Sequence, residues 1–394
     1  MKKGMASGTL AELCTLVTDG THDSPKLLEN GIPFIKGKHI NQGFVDFEHC
    51  DFISRIDHQK VISRSKPERG DILFANIGNS IGDAAYVATS KEFSIKNVAL
   101  FKPNPRIINS RYLYYHSISR AFQASLLVKK SGSAQPFLGL DTLRNHSLQY
   151  HVDIEEQERV ADILAAYDNL IENNTRRVKV LEQITQMLYR EWFVNFRFPG
   201  HEKVKMVESE MGMIPGGWPL KKLGDVLHLE YGKALKADQR TGGNIPVFGS
   251  SGVLGFHSER LTCGPGVIVG RKGNVGSVFY CQSDFWVIDT AYFVSTSMPL
   301  HFVFFNLCTQ NFLNNDAAVP GLNRNQAHSL PIIVPDDETL GSFENVVKPV
   351  FELKSSLEKK NSNLRTTRDL LLPKLVSGEF SVEQIEQEVV AEMV

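Results

Sequence analysis

The chain has few of the features that mark disulfide-rich, metal-binding or membrane proteins. Its 394 residues include five cysteines, Cys14, Cys50, Cys263, Cys281 and Cys308, and no two of them are spaced as CxxC. This pattern argues against a zinc ribbon or a disulfide framework and favours a reducing cytoplasm. No apolar run reaches membrane-spanning length, and the N-terminus lacks the apolar stretch of a signal peptide. We therefore expect a cytoplasmic protein that does not contact a membrane.

The sequence also lacks the motifs of several catalytic classes. It has no phosphate-binding P-loop, and the Gly-rich segment 76–82 lacks the spacing of a dinucleotide fingerprint, so a hairpin turn is the better interpretation. Methyltransferases that act on adenine hold the flipped base with an Asn-Pro-Pro-aromatic loop. The nearest segment here, Asn104-Pro105-Arg106, lacks the second proline and the aromatic residue. The twelve histidines show no metal-ligand spacing. We expect no catalytic centre and no bound metal in this chain.

Two long segments with heptad patterning are the strongest structural signal in the sequence. The first, 153–196, contains neither glycine nor proline. The second, 336–375, contains Pro349, expected to kink it or to start its main segment, and Pro373, expected to end it. A long helix cannot bury its own apolar stripe, so each of the two is predicted to pack against a partner helix. Asn174, at a core position, either fixes the helix register or lines a hydrated layer. The predicted seam positions are Val160, Tyr167, Asn174, Leu181, Leu188, Phe343, Val350, Leu357, Leu364 and Leu371.

The rest of the chain is a tandem duplication of α+β sequence. Residues 1–152 and 216–335 both contain short alternating strands, turns and one helical patch. The segment 288–293 repeats the pattern of 96–101, and His328-Ser329-Leu330 repeats His146-Ser147-Leu148. Residues 197–215 are interpreted as a linker and 376–394 as a C-terminal tail.

Charge is divided between these segments, although the formal net charge is only −1. Residues 1–152 contain 19 Lys and Arg against 13 Asp and Glu, and residues 216–335 contain nine against seven. The helical segments are acidic, with five against nine in 153–196 and seven against twelve in 336–394. Basic globular segments fit contact with phosphate, and acidic helices fit a separate role.

Short motifs in a fixed order point to a known family. They are Asp19-Gly20-Thr21-His22, the segment 188–193 followed by Phe198-Pro199-Gly200, the segment 213–218, and 371–379 near the C-terminus. Together they resemble the specificity (S) subunit of a type I restriction–modification system over essentially the whole chain.

The resemblance implies an architecture and a set of partners. The architecture would be α+β, with two similar target-recognition domains, 1–152 and 216–335, separated by two long helices packed as an antiparallel coiled coil. Each domain would read one half of a bipartite, asymmetric site in double-stranded DNA. Modification (M) subunits would dock on the helices, bring S-adenosylmethionine and methylate adenine. Restriction (R) subunits would bring ATP and Mg²⁺ and cleave.

Duplex reading requires bidentate donors and acceptors at base edges, framed by cations for phosphate. Arg271 or Arg324 could read guanine; Asn76, Gln135, Asn323 or Gln326 could read adenine. For each residue alone, a solvated or turn-forming role is the competing interpretation. The candidates are Thr21, His22, Lys36, Lys38, Asn41, Asn76, Asn79, Ser80, Lys129, Lys130 and Gln135 in the first segment, and Tyr231, Lys233, Lys236, Ser250, Ser251, Arg271, Lys272, Asn274, Asn323, Arg324, Asn325 and Gln326 in the second.

Two alternatives come from other classes. One is a coiled-coil scaffold or dimerisation protein with no DNA role, which the basic globular segments disfavour. The other is a stand-alone DNA-modifying enzyme, which the missing methyl-donor and metal motifs disfavour.

Overall fold

The chain forms two compact units, each built from separate stretches of sequence. The computed structural model describes residues 4–41, 43–129, 136–312 and 321–383, without the side chain of Asn41. Unit 1 comprises Met1–Asn173 and Asn361–Val394, and unit 2 comprises Asn174–Lys360. Each long helix therefore contributes one half to each unit, whereas the sequence placed the helices in segments of their own.

Unit 1 is a mixed α+β body. Its strands are β1 (Met5–Thr9), β2 (Cys14–Asp19), β3 (Ile32–Lys36), β4 (Ile40–Asn41), β5 (Phe44–Val45), β6 (Asp51–Ile53), β7 (Ile72–Phe74), β8 (Ala84–Tyr86), β9 (Ser94–Lys96), β10 (Ala99–Pro103) and β11 (Ser147–His151). Its helices are α1 (Leu10–Leu13), α2 (Arg55–Ile62), α3 (Ser110–Ile118), α4 (Arg120–Leu127), α5 (Leu140–Arg144) and the first half of α6 (Ile154–Tyr189). Side chains of Thr9, Ser54 and Asn109 cap α1, α2 and α3 by accepting backbone N–H groups.

Unit 2 is built from the same kinds of element. Its strands are β12 (Met206–Ser209), β13 (Gly212–Pro215), β14 (Leu220–Lys222), β15 (Leu227–Tyr231), β16 (Ile245–Gly249), β17 (Gly252–His257), β18 (Gly266–Gly270), β19 (Val278–Cys281), β20 (Trp286–Val287), β21 (Ala291–Thr296) and β22 (Pro331–Ile333). Its helices are α7 (Leu300–Thr309), α8 (Arg324–Ser329) and the first half of α9 (Asp337–Val376); the second half of α9 belongs to unit 1.

The sheets of the two units have the same topology. Unit 1 has an antiparallel sheet in the order β2-β10-β7-β8, and unit 2 has β15-β21-β18-β19. A second sheet, β6-β3-β9 or β17-β16-β20, contains one parallel pair in each unit. The pair β1-β11 corresponds to β14-β22. This matched order confirms the predicted α+β class and tandem duplication.

The two long helices run antiparallel within each unit. In unit 1, Arg368 of α9 forms an ion pair with Asp168 of α6, and the Asn361 amide donates to the Ile171 carbonyl (3.2 Å). In unit 2, Lys354 pairs with Glu182, and the rings of Tyr189 and Phe343 lie 6.2 Å apart. Contact positions rise along α6 as they fall along α9, as an antiparallel pair requires. All ten predicted seam residues are buried or partly buried.

One proline of the second helix behaves differently from expectation, because Pro373 does not end it. The helix α9 includes Pro349 and continues past Pro373 to Val376. Each proline is exposed, so its ring lies away from the packed face and the helix loses one N–H donor at each position. The first helix continues beyond Tyr189 as a π-helical turn, Arg190–Val194.

The predicted linker 197–215 is an ordered part of unit 2. Its strands β12 and β13 form an antiparallel hairpin that pairs Met206 with Pro215. Phe198 is buried and stacks on Trp218, with ring centroids 4.8 Å apart. The glycines that suggested a linker lie at ordered positions: Gly200 precedes a 3₁₀ turn, His201–Lys203, and Gly212 begins β13. Among the described residues, no helix is both long and apolar enough to cross a membrane.

Candidate nucleic-acid interface

Loops predicted separately from the sequence of unit 2 meet at one surface. The Asn274 amide donates to Ser251 Oγ (3.3 Å), which joins the loop after β18 to the turn after β16. Lys272 forms an isolated β-bridge with Gly321, just before α8, and its backbone N–H donates to the Thr290 carbonyl (3.0 Å). We call this area the unit 2 loop surface; it carries Tyr231, Ser251, Arg271, Lys272, Asn274, Asn323, Arg324, Asn325 and Gln326.

The centre of the unit 2 loop surface is an aromatic ring with two arginines. The Tyr231 ring is 49% exposed, and the guanidinium carbons of Arg271 and Arg324 lie 5.0 and 4.9 Å from its centroid. Arg271 also lies 5.7 Å from the buried Tyr292 ring, whose pKa is raised by burial. Asn323 caps α8 by accepting from the backbone N–H of the second and third residues after it, so part of its hydrogen-bonding capacity is used within the protein.

Three further candidates of unit 2 differ in accessibility. Lys233 and Lys236 are exposed, and the Lys233 ammonium lies 5.9 Å from the Trp286 ring. Ser250 is buried at 7% exposure, and its carbonyl accepts from Ser277 Oγ (2.6 Å). Its side chain lies beneath the loop that it supports, and its contact with DNA stays a prediction.

In unit 1, Thr21 and His22 lie beside Asp19, which belongs to the family motif but was not among the predicted DNA-binding residues. Asp19 is 4% exposed, lies 3.1 Å from His22 Nε2 and accepts from Arg64. His22 Nδ1 lies 2.9 Å from the Asn97 side-chain oxygen, and Asn97 adopts a positive φ of 51°. The polar pocket here also includes Lys60 of α2. Asp19, Arg64 and Asn97 are far apart in sequence, so no local pattern indicated their meeting.

The lysines of unit 1 are tied to a second acid. Asp51 lies 2.7 Å from Lys36 Nζ and 4.0 Å from Lys38 Nζ. The hydrogen bond from Lys36 is the main reason why the pKa of Asp51 is below its ordinary value, although burial opposes this effect. The 3₁₀ turn that contains Lys38 packs against the turn that contains Ser80, and Asn79 in that turn is exposed. These side chains form the unit 1 loop surface together with Thr21 and His22.

One predicted reader in unit 1, Asn76, is buried. Asn76 is 3% exposed; its side-chain amide donates to the Leu138 carbonyl (3.1 Å), and its backbone carbonyl accepts from Leu138 N–H (2.8 Å). The Asn76 side chain fixes a loop and is shielded from solvent. Lys129 is exposed after α4. Lys130, Gln135 and the Asn41 side chain lie outside the described residues.

Metal and thiol chemistry have no evident centre in the described part of the chain. No group of three or more His, Cys, Asp or Glu side chains there could hold a metal ion. The five cysteines are free thiols, and burial raises the pKa of Cys14 to about 12 and that of Cys308 to about 11. Because a raised pKa lowers the fraction of thiolate at neutral pH, neither thiol is activated as a nucleophile.

The chain is thus a duplicated α+β protein with a polar loop surface in each unit and two long paired helices. The family described as "Type I restriction modification DNA specificity domain" matches residues 2–183 and 215–363. The chain belongs to this family, and the predicted resemblance is confirmed. The scaffold without a DNA role is not favoured.

Individual relatives agree with this assignment. The chain is 28% identical over 332 residues to the "Type I restriction enzyme MjaIX specificity subunit" of Methanocaldococcus jannaschii, with 76% of each chain covered. It is 23% identical to the HindI specificity subunit of Haemophilus influenzae, over 86% of this chain and 94% of that one. The crystal structure of a type I S subunit from M. genitalium has a TM-score of 0.59 at 16% identity and covers 94% of this chain and 96% of that one. This last similarity supports the fold alone.

Proposed function

We propose that this chain is the DNA-reading subunit of a type I restriction–modification complex, in which each unit reads one half of a bipartite, asymmetric site. The observation that carries the proposal is a duplicated topology with different loop side chains. Identical sheet orders place similar loops in both units, but the first strand of the four-stranded sheet ends at Asp19 in unit 1 and at Tyr231 in unit 2. Two readers with different side chains suit two different half-sites.

In this proposal, partner subunits carry out the catalysis. M subunits would supply S-adenosylmethionine and methylate adenine, and R subunits would supply ATP- and Mg²⁺-dependent cleavage. Neither the sequence motifs nor the side-chain clusters of the described residues offer a competing catalytic centre here. The expected role of this chain is to bind double-stranded DNA and to hold the partners on it.

The long helices offer a surface for the M subunits. In unit 2, Val180, Ile184 and Met187 of α6 are 50%, 49% and 65% exposed. Their spacing of four and three residues places them on one helix face. Exposed apolar side chains in such a row are typical of a protein interface. We assign this face to M-subunit docking.

The test is a domain exchange in the assembled complex. Residues 216–335 would be replaced by the equivalent segment of a relative, co-expressed with the cognate M subunit in a methylation-free host, and methylated adenines mapped by single-molecule sequencing. One block of the methylated motif should change and the other should remain. The reciprocal exchange of residues 1–152 is the control and should change the other block. A motif in which both blocks change, or neither changes, would contradict the two-reader proposal.

A further inference from the structure

We propose that Tyr231, Arg271 and Arg324 form a preassembled reader for guanine, in which the tyrosine ring holds two guanidinium groups for bidentate contact with base edges. This inference rests on the proposed function and adds the base that unit 2 reads. It also gives Tyr231 a positioning role instead of an independent contact.

The three side chains come from three separate elements. Tyr231 is the last residue of β15, Arg271 follows β18 directly, and Arg324 is the first residue of α8. Both guanidinium groups lie within about 5 Å of one ring, as the distances above show, and arginine stacks well on an aromatic face. The half-exposed ring therefore joins two cations that sequence alone would treat as separate contacts.

The backbone beneath the arginines is fixed by hydrogen bonds. Arg271 N–H donates to the Thr290 carbonyl (2.8 Å), and the Arg271 carbonyl accepts from Leu322 N–H (2.8 Å). The buried Tyr292 hydroxyl donates to the Leu322 carbonyl (3.1 Å). The strand end that carries Arg271 and the segment that leads to Arg324 are thus one rigid platform. A fixed platform reduces the entropy lost when a ligand orders the arginine side chains.

The charge of the two arginines is left for a ligand. No ion pair within the described residues of unit 2 involves either one; the Arg271 guanidinium instead donates to the backbone carbonyl of Asp289 (3.2 Å). Guanine presents O6 and N7 as two acceptors in the major groove, which match the forked donors of arginine. Adenine presents one acceptor and one donor at the same edge, so it cannot accept both N–H groups.

The experiment maps methylated adenines made by the cognate complex in a methylation-free host. The variants are Arg271→Ala, Arg324→Ala, Tyr231→Ala and Tyr231→Phe, with Arg260→Ala as the matched control. Arg260 is an exposed arginine of unit 2 paired with Asp284 (2.6 Å), outside the unit 2 loop surface. Wild-type protein should give a motif with guanine in one block. Both arginine variants and Tyr231→Ala should lower discrimination at those guanines at least tenfold; Tyr231→Phe and Arg260→Ala should keep it within about twofold.

The outcomes separate this inference from the proposed function. Wild-type complexes that methylate without sequence preference would overturn the proposed function itself. If the wild-type motif is specific and all four loop variants retain it, only the guanine reader is overturned. The guanine reader is also overturned if the arginine variants reduce methylation of all sites equally, whichever base stands at the guanine position, because that result identifies phosphate contacts. Co-purification with M checks folding. If Tyr231→Ala fails this check, Arg271→Lys replaces it, since lysine keeps the charge but loses the fork; unchanged discrimination in Arg271→Lys would contradict guanine reading.

Discussion

The loop surfaces of the two units use their cations in different ways. In unit 1, Arg64 is paired with Asp19, and Lys36 with Asp51. In unit 2, Arg271 and Arg324 rest on an aromatic ring and have no carboxylate partner within the described residues. The segment charges point the other way, because residues 1–152 have the larger basic excess. A count of basic residues therefore does not measure how much positive charge is available to DNA.

In both units a glycine follows the strand-end residue that differs. Asp19 and Tyr231 each precede a glycine, Gly20 or Gly232, at the end of the first strand of the four-stranded sheet. A Cβ at either glycine would lie 2.3 or 2.2 Å from a carbonyl oxygen of the neighbouring chain segment, so only glycine fits. The backbone is thus fixed in both units, and the preceding side chain is free to determine the chemistry.

The largest expected effect is on DNA affinity. The double variant Arg271→Ala/Arg324→Ala should weaken binding of the M-containing complex to its mapped site by about 2–6 kcal/mol, from two lost bidentate contacts. The matched unit 1 variant, Lys36→Ala/Arg64→Ala, should cost about 1 kcal/mol or less, because both cations are already paired. Fluorescence anisotropy with a labelled duplex measures both. Equal losses of binding free energy in the two double variants would contradict the proposed difference between the unit 1 and unit 2 loop surfaces.

The contacts between the long helices should also differ between the units. In unit 1, Asp168 accepts from Tyr115 (2.7 Å) and pairs with Arg368, and both ionic side chains are 18% exposed. Asp168→Asn should destabilise this half of the helix pair by about 2–3 kcal/mol, less than for a fully buried pair. Glu182→Gln in unit 2 should cost about 0–1 kcal/mol, because Glu182 is 52% exposed. Hydrogen exchange of each helix half measures the effect, and similar losses would contradict this ranking.

Unit 1 should become less stable at acidic pH because of His116. Full burial, together with the nearby His151 charge, lowers the pKa of His116 to about 3. The unfolded chain binds this proton near pH 6.5 and the folded chain does not, so stability falls as pH falls between these values. The free energy of unfolding should fall by about 2 kcal/mol between pH 6.5 and pH 5. Urea unfolding of wild-type protein and His116→Phe at both pH values tests this; parallel pH slopes would exclude His116 as the source.

The sequence predicted the repeated architecture better than the contacts within it. The match of 96–101 with 288–293 corresponds to the passage from β9 into β10 and from β20 into β21. Local periodicity carries this information. It could not show that Asn76 is buried against Leu138, because that contact joins residues 62 positions apart.

The ion pairs of the basic side chains could not be predicted from sequence for the same reason. Lys36 and Arg64 are basic residues in sequence, and only long-range folding places Asp51 and Asp19 beside them. Conversely, the loops that carry Tyr231 and Arg271 were predicted separately, and tertiary structure brings them together. Residue type identified candidates, but pairing determines which of them remain available.

The smallest expected effect is a gain of DNA binding by unit 1. Asp51→Asn removes the acid that holds Lys36 and leaves Lys38 without its nearby carboxylate at 4.0 Å. Each cation that then reaches a phosphate should steepen the slope of log K against log salt by about 0.9. Asp51 is 22% exposed, so the stability cost should be about 1 kcal/mol.

Lys129→Ala is the opposite control: Lys129 is exposed, and its loss should flatten the slope by a similar amount for all sequences alike. Binding measured from low to moderate salt with duplexes lacking the mapped site isolates this nonspecific component. If Asp51→Asn leaves the slope unchanged while Lys129→Ala reduces it, ion pairing does not limit the unit 1 loop surface, and its lysines face away from the DNA.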